Sequence, residues 1–300
     1  MIYEYAVDPV SFTSEDTVIF LLESFGREKG RMISELKKDA WVDLVRRFLH
    51  NAGLQDVARK RMIEALSILV KKQKAIYCRH QQVQEGPDWI SMTQRAHNVW
   101  PYRGIMLEKY NGDDPQYLVR DIHLSNKPNW TVPPSMTVDR EAAAMVGAVR
   151  DLLANAREVI LVDRNFRLEN QQGRSVDKYK NVLLAIILFL AKKPYGPSVS
   201  KLIYHIGDEY YNAANLKVKI DRYLRADLPA EFRLEFAFWP KNDLHDRFLL
   251  TDIGGIDCGI GLDEYAGTSE RTVKFKRLSN ADYSSEWSRF RQKMSHVVFP

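Results

Sequence analysis

Several things are scarce in this sequence, and each scarcity closes off a class of protein. The 300 residues include two cysteines, Cys78 and Cys258. Two thiols so far apart make neither a disulfide framework nor a cysteine-rich zinc cluster, and a reducing cytosol is the simplest compartment for them. Long apolar runs are missing as well. The most apolar stretch, Val182 to Ala191, is ten residues long, about half of what a bilayer-spanning helix needs, so no membrane span is expected. The opening Met1-Ile2-Tyr3-Glu4 lacks the basic start and apolar stretch of a secretory leader. There is no internal repeat and no low-complexity tract. Neither sign of charge dominates: the net charge of +5 leans mildly toward nucleic acid or an anionic membrane surface.

What remains is ordinary globular composition, 45% hydrophobic and 28% charged, on a chain long enough for two modest domains. Residues 1–130 are expected to form a mainly helical domain. Ser14 starts one helix. A second runs from Asp39 to His50, with Trp41, Leu44, Val45 and Phe48 on one face, and is stopped by Asn51-Ala52-Gly53. A third runs from Leu54 to Tyr77. Two runs near 104–122, joined by Asn111-Gly112-Asp113-Asp114-Pro115, predict a hairpin. Residues 131–138, with Pro133-Pro134, read as a linker.

From Asp139 to Pro300 the rhythm alternates. Helices are expected at 139–156, 178–193, 211–228 and 282–295, with strands at 158–163, 200–205, 233–239, 246–251 and 256–259. This pattern predicts an α/β domain with a mixed, mostly parallel sheet covered by helices. Ligands of such sheets sit at the carboxyl ends of strands. Polar clusters fall at three predicted strand ends: Asp163-Arg164-Asn165-Phe166-Arg167, Gly207-Asp208-Glu209 and Lys241-Asn242-Asp243-Leu244-His245-Asp246-Arg247.

The third cluster carries the motif. His245 and Arg247 are followed by Asp252 after four residues, and by Gly259 after six more. This resembles the phospholipase D superfamily, whose signature is His-x-Lys, four residues, Asp, then six residues and Gly-Ser-x-Asn. The stretch from His245 to Asp263 is closer to a divergent single-motif branch that includes the C-terminal domain of MIT-domain proteins. The resemblance covers about 139–300 and implies a phospholipase D-like domain there. It departs from the family at two places. Arg247 replaces the lysine, and Gly259-Ile260-Gly261-Leu262 replaces the stretch with the phosphate-ligating Ser and Asn.

The resemblance makes His245, Arg247 and Asp252 the candidate catalytic residues. In the parent chemistry, histidine attacks phosphorus and a second histidine protonates the leaving group. A single motif supplies one such histidine, so an active enzyme would be a homodimer; His205, at a strand end, is the internal alternative. Arginine suits phosphate binding better than it replaces lysine in catalysis. Asp163, Arg164, Gly259, Asp263 and Glu264 are further candidates for the phosphate site. For Asp163 and Arg164 a surface ion pair is an equal alternative, and for Asp263 and Glu264 so is the start of a loop. No metal and no cofactor are expected. The leading expectation is a cytoplasmic protein that engages nucleic-acid phosphates in a bacterial defence system, with partner proteins of that system. A metal-independent nuclease acting as a homodimer and a non-catalytic module for anionic lipid or a partner protein are the alternatives.

Overall fold

A computed structural model describes residues 1–81, 88–120, 123–170, 172–193, 195–199, 201–240, 242–267, 270–292 and 296–299. The chain forms two compact units. One comprises Ile2–Pro133 with Pro194–Pro197; the other comprises Pro134–Lys193 and Ser198–Pro300 with Met1.

The first unit is built from β1 (Tyr3–Val7), α1 (Glu15–Ser24), β2 (Arg31–Glu35), α2 (Ala40–Asn51), α3 (Asp56–Ser67), β3 (Ile76–Cys78), α4 (Trp89–Val99), β4 (Gly104–Leu107) and β5 (Tyr117–Val119). The strands form one sheet in the order β3-β2-β1-β4-β5, parallel at every pairing. The expectation of a mainly helical domain is therefore corrected: the helices cover a parallel sheet. The expected hairpin is also corrected, because β4 and β5 run parallel, with Ile105 beside Tyr117. Asn-Gly and Asp-Pro residues announce that the chain turns, but not whether it returns antiparallel or loops back to start alongside.

The helices begin where the sequence signals it. Ser14 accepts a hydrogen bond from the Thr17 N–H, and Asp88 accepts one from the Ser91 N–H. One sheet face is apolar, with Tyr5, Val7 and Ile33 packed among Trp41, Val45, Leu66 and Leu69. The other carries an ion pair with neither side chain exposed, Glu4 Oε2 lying 2.8 Å from Arg79 Nε. The Arg79 guanidinium also stacks on Tyr102 at 3.9 Å and donates to the Trp100 carbonyl at 2.8 Å. Removing one partner alone would leave a buried charge, a loss of about 3–5 kcal/mol.

The second unit contains β6 (Ser135–Asp139), α5 (Ala142–Asn155), β7 (Val159–Asp163), α6 (Asp177–Lys192), β8 (Lys201–Gly207), α7 (Ala213–Tyr223), β9 (Arg233–Trp239), β10 (Arg247–Thr251), β11 (Gly255–Asp257), β12 (Thr272–Arg277), α8 (Asn280–Arg291) and β13 (His296–Phe299). Its eight-stranded sheet runs β13-β9-β8-β7-β10-β11-β12-β6. The unit is α/β with a mixed sheet, but the sheet is not mostly parallel. Only β7-β8-β9 are mutually parallel; every other pairing is antiparallel. The expected linker at 131–138 is corrected in the same way, since β6 begins at Ser135 and pairs with β12. Pro133 and Pro134 precede this edge strand, where a missing N–H costs no ladder bond. Against one face, Ile160, Val162, Phe248 and Leu250 pack with Tyr283 and Phe290 of α8.

Candidate phosphate-binding site

The sheet order brings the predicted clusters to one edge. Because β10 runs antiparallel to β7, its first residue lies beside the last residue of β7, and Arg247 is in register with Asp163. The carboxyl end of parallel β8 follows on, bringing Gly207-Asp208-Glu209 to the same edge. The site is thus a row of side chains from three strands, offered where an α/β sheet ordinarily meets a ligand.

Asp163 is the anchor and is fully buried. Its Oδ1 accepts the Asn165 N–H at 2.9 Å and its Oδ2 accepts the Leu262 N–H at 3.1 Å. Burial pushes this carboxyl above its ordinary range, while the two N–H groups and the Arg247 charge pull the other way. Arg247 Nε stands 3.8 Å from Asp163 Oδ1, too far for a hydrogen bond.

Arg164, one residue on, bridges two clusters. Its Nη2 lies 3.5 Å from Glu209 Oε2, and its Nη1 lies 3.3 Å from His245 Nδ1. A guanidinium has donors and no acceptor. His245 Nδ1 must therefore accept, which places the imidazole proton on Nε2. His245 itself is exposed. Its loop is tied down by Arg289 of α8, which donates to the Asp243 carbonyl at 2.5 Å and reaches Asp246 at 4.0 Å. The Nε atoms of Arg164 and Arg247 are buried and, among the described residues, donate no hydrogen bond. Each of the two side chains keeps 24% of its surface exposed at this edge.

The structure brings His245, Arg247, Arg164 and Asp163 to one edge, places Asp263 beside Asp163, and sets Asp252 at the other end of β10. Asp252 follows the last residue of β10, at the opposite end of the strand from His245. There it accepts the N–H groups of Arg157 and Glu158 at 2.8 and 3.3 Å. The motif spacing places it one strand length away from His245, where it clamps the loop that enters β7. Gly259 directs its N–H to Asp257 Oδ1 at 2.9 Å and occupies a left-handed turn with φ of 56°. Its role is conformational.

Asp263 lies near Asp163 across Gly261, whose added Cβ would sit about 3.1–3.2 Å from both carboxylates. It is engaged by Arg140 at 2.5 Å and by Lys178 at 2.6 Å. Glu264 caps α5 through the Ala142 N–H at 2.9 Å and holds Asn181 at 2.6 Å. These two acids tie helices to the sheet. His205 is fully buried, its Nδ1 accepts from Trp239 Nε1 at 2.8 Å, and its ring packs edge-on against Phe290. It sits in an aromatic layer beneath the site. Glu209 and Arg289 are the additions. Glu209's signal was its position at a strand end; Arg289's position on the last helix carried none.

Among the described residues, no group of His, Cys, Asp and Glu side chains is arranged to hold a metal ion, and no helix is long and apolar enough to cross a membrane. No family model matches the chain, and no curated protein matches it. A solved structure of TrmBL2, an archaeal chromatin protein showing a novel mode of DNA binding, aligns over 82% of this chain and 86% of its own. It does so at 13% identity and a TM-score of 0.30, a likeness too slight to carry an argument.

Proposed function

We propose that the second unit is a phospholipase D-like module that binds phosphodiester groups of nucleic acid without hydrolysing them. The observation that carries this reading is the Arg164–His245 contact. A nucleophilic histidine needs an unprotonated nitrogen facing phosphorus and, on its other nitrogen, a proton held by an acceptor. Here Nδ1 is covered by a cationic donor, and the remaining nitrogen carries the proton. An Nε2–H with the Arg164 guanidinium against its ring is a donor pair suited to the oxygens of a phosphate, and Arg247 at the same sheet edge adds a second cation. The net charge of +5 adds a non-specific attraction to a polyanion, nucleic acid or anionic lipid surface alike, and the vesicle arm of the test separates the two. The defence setting and its partner proteins stay part of the proposal and rest on the sequence motif alone.

The test is fluorescence anisotropy with labelled single- and double-stranded DNA and RNA, run beside flotation on phosphoinositide vesicles, with a cleavage assay in EDTA. Binding should weaken steeply with salt, fall at least tenfold in Arg247→Glu, and leave the oligonucleotides intact. Cleavage in EDTA that disappears in His245→Ala would replace this reading with the homodimeric nuclease. Binding to vesicles and to no oligonucleotide would replace it with the anionic-lipid module.

A further inference from the structure

The first unit contains a cavity of about 390 Å³ that no part of the phosphate site uses. It opens over the carboxyl end of β2, between α2 and α4, in a sheet ordered β3-β2-β1-β4-β5 and parallel throughout. Open parallel sheets of this order hold ligands at the carboxyl ends of their strands, and the volume lies within the range of small-molecule sites.

The lining is divided by chemistry. Trp41, Trp89 and Tyr102 supply aromatic surface, Glu35 a carboxylate, and Lys37 and Arg47 cations. Trp41 and Tyr102 are buried, Trp89 is half-buried, and Lys37 and Arg47 are exposed. The cavity is therefore largely apolar inside, with the Glu35 carboxylate among the rings, and its rim carries Lys37 and Arg47 beside Asp43. Glu35 is the last residue of β2 and is buried. Its two oxygens accept the N–H groups of Asp39 and Trp41 at 2.7 and 3.2 Å, which fixes the carboxylate at the entrance to α2. The Val42 N–H also bonds this carboxylate, which leaves one lone pair for a ligand. In dinucleotide-binding sheets, an acid in this region accepts hydrogen bonds from ribose hydroxyls.

A glycine-rich turn after the first strand is absent. Asp8-Pro9-Val10-Ser11 stands there instead, with Asp8 Oδ1 accepting the Val10 N–H at 3.1 Å. That turn presents a carboxylate where a diphosphate would need bare backbone N–H groups. The geometry points to a nucleoside monophosphate as the ligand, its base against Trp89, its ribose on Glu35 and its single phosphate at Lys37 and Arg47. The assignment is independent of the phosphate site in the second unit.

The test is titration of the full chain with AMP and GMP, followed by calorimetry and tryptophan fluorescence. One saturable site is expected. Affinity should fall at least tenfold in Trp89→Ala and in Arg47→Glu, and be retained in Trp89→Phe and in Arg247→Glu. Ribose 5-phosphate should bind at least tenfold more weakly than AMP. No saturation by either nucleotide at concentrations on the order of 1 mM would overturn the assignment. So would binding that survives Trp89→Ala and Arg47→Glu but is lost in Arg247→Glu, because the nucleotide would then sit in the second unit.

Discussion

Arg164 Nη1 approaches His245 Nδ1 to 3.3 Å, which makes the imidazole an acceptor on the side facing the strand and a donor on the other. Long-range 1H–15N NMR of the ring at about pH 8, where histidine is ordinarily neutral, should show the Nε2–H tautomer in the wild-type chain. In Arg164→Ala the Nδ1–H tautomer should become detectable beside it, and oligonucleotide affinity should drop about tenfold, or ~1.4 kcal/mol. A wild-type ring protonated on Nδ1 would sink the donor assignment, and with it the main argument against a nucleophile.

Asp252 is expected to separate stability from binding. Its carboxylate receives the N–H groups of Arg157 and Glu158, which lead into β7. Asp252→Ala should cost about 1–2 kcal/mol of stability, read as a lowered urea midpoint. Asp252→Asn should recover part of it, since its side-chain oxygen still accepts. Oligonucleotide affinity should stay within twofold of the wild type in both. A tenfold loss of affinity in a folded Asp252→Ala would return this residue to the site.

These contrasts show which features could be read in the sequence. Val159-Ile160-Leu161-Val162 reads as a strand because it is a continuous apolar run, and Leu234 to Phe238 does although the buried Glu235 interrupts it; both are strands. In β1 and β2 the runs are interrupted by Glu4, Ser34 and Glu35, all buried. Glu4 is compensated by Arg79, seventy-five residues on, a pairing that no local pattern announces. Those two strands escaped the sequence for that reason, while the stretches around β4 and β5 read as strands and only their relative direction was missed. The strand ends pointed to Asp163, Arg164 and His245, which share one edge of the sheet. Asp252, grouped with them by linear spacing, stands at the other end because five strand residues carry the chain away from that edge. Sequence order could not show that β10 runs back along β7 and sets Arg247 opposite Asp163.

Gly259 offers a test of a purely conformational role. Its φ of 56° is one that side-chain-bearing residues rarely adopt, and an added Cβ would lie 2.9 Å from the Lys274 carbonyl oxygen. Backbone cannot swing aside as a long side chain can. Gly259→Ala should therefore destabilise by about 1–3 kcal/mol, measured by chemical denaturation. The same change at Gly147, on α5 with open space at its Cβ position, should be neutral or stabilising by up to about 1 kcal/mol. Equal effects at the two positions would remove the argument from the turn.

Lys193 gives the clearest dependence on pH. Its Nζ donates to the carbonyls of Ala154 and Ala156 at 2.9 and 3.2 Å. Burial lowers its pKa from 10.5 to about 8, with the Asp252 charge acting in the opposite direction. The folded chain thus releases this proton more readily than the unfolded chain. Below about pH 8 the lysine is charged in both states and burial costs the fold its full penalty. Between about pH 8 and 10.5 the unfolded state still holds the proton that the folded state has released, so stability rises with pH. A shift of this size corresponds to a penalty on the order of 2–3 kcal/mol. Lys193→Met removes the charge and keeps most of the apolar stem. The stability difference between variant and wild type should favour the variant near neutral pH and diminish steadily across the window. Denaturation curves at several pH values decide it: a difference that stays constant from about pH 7 to 10.5 would mean that the folded chain holds this proton as tightly as the unfolded one.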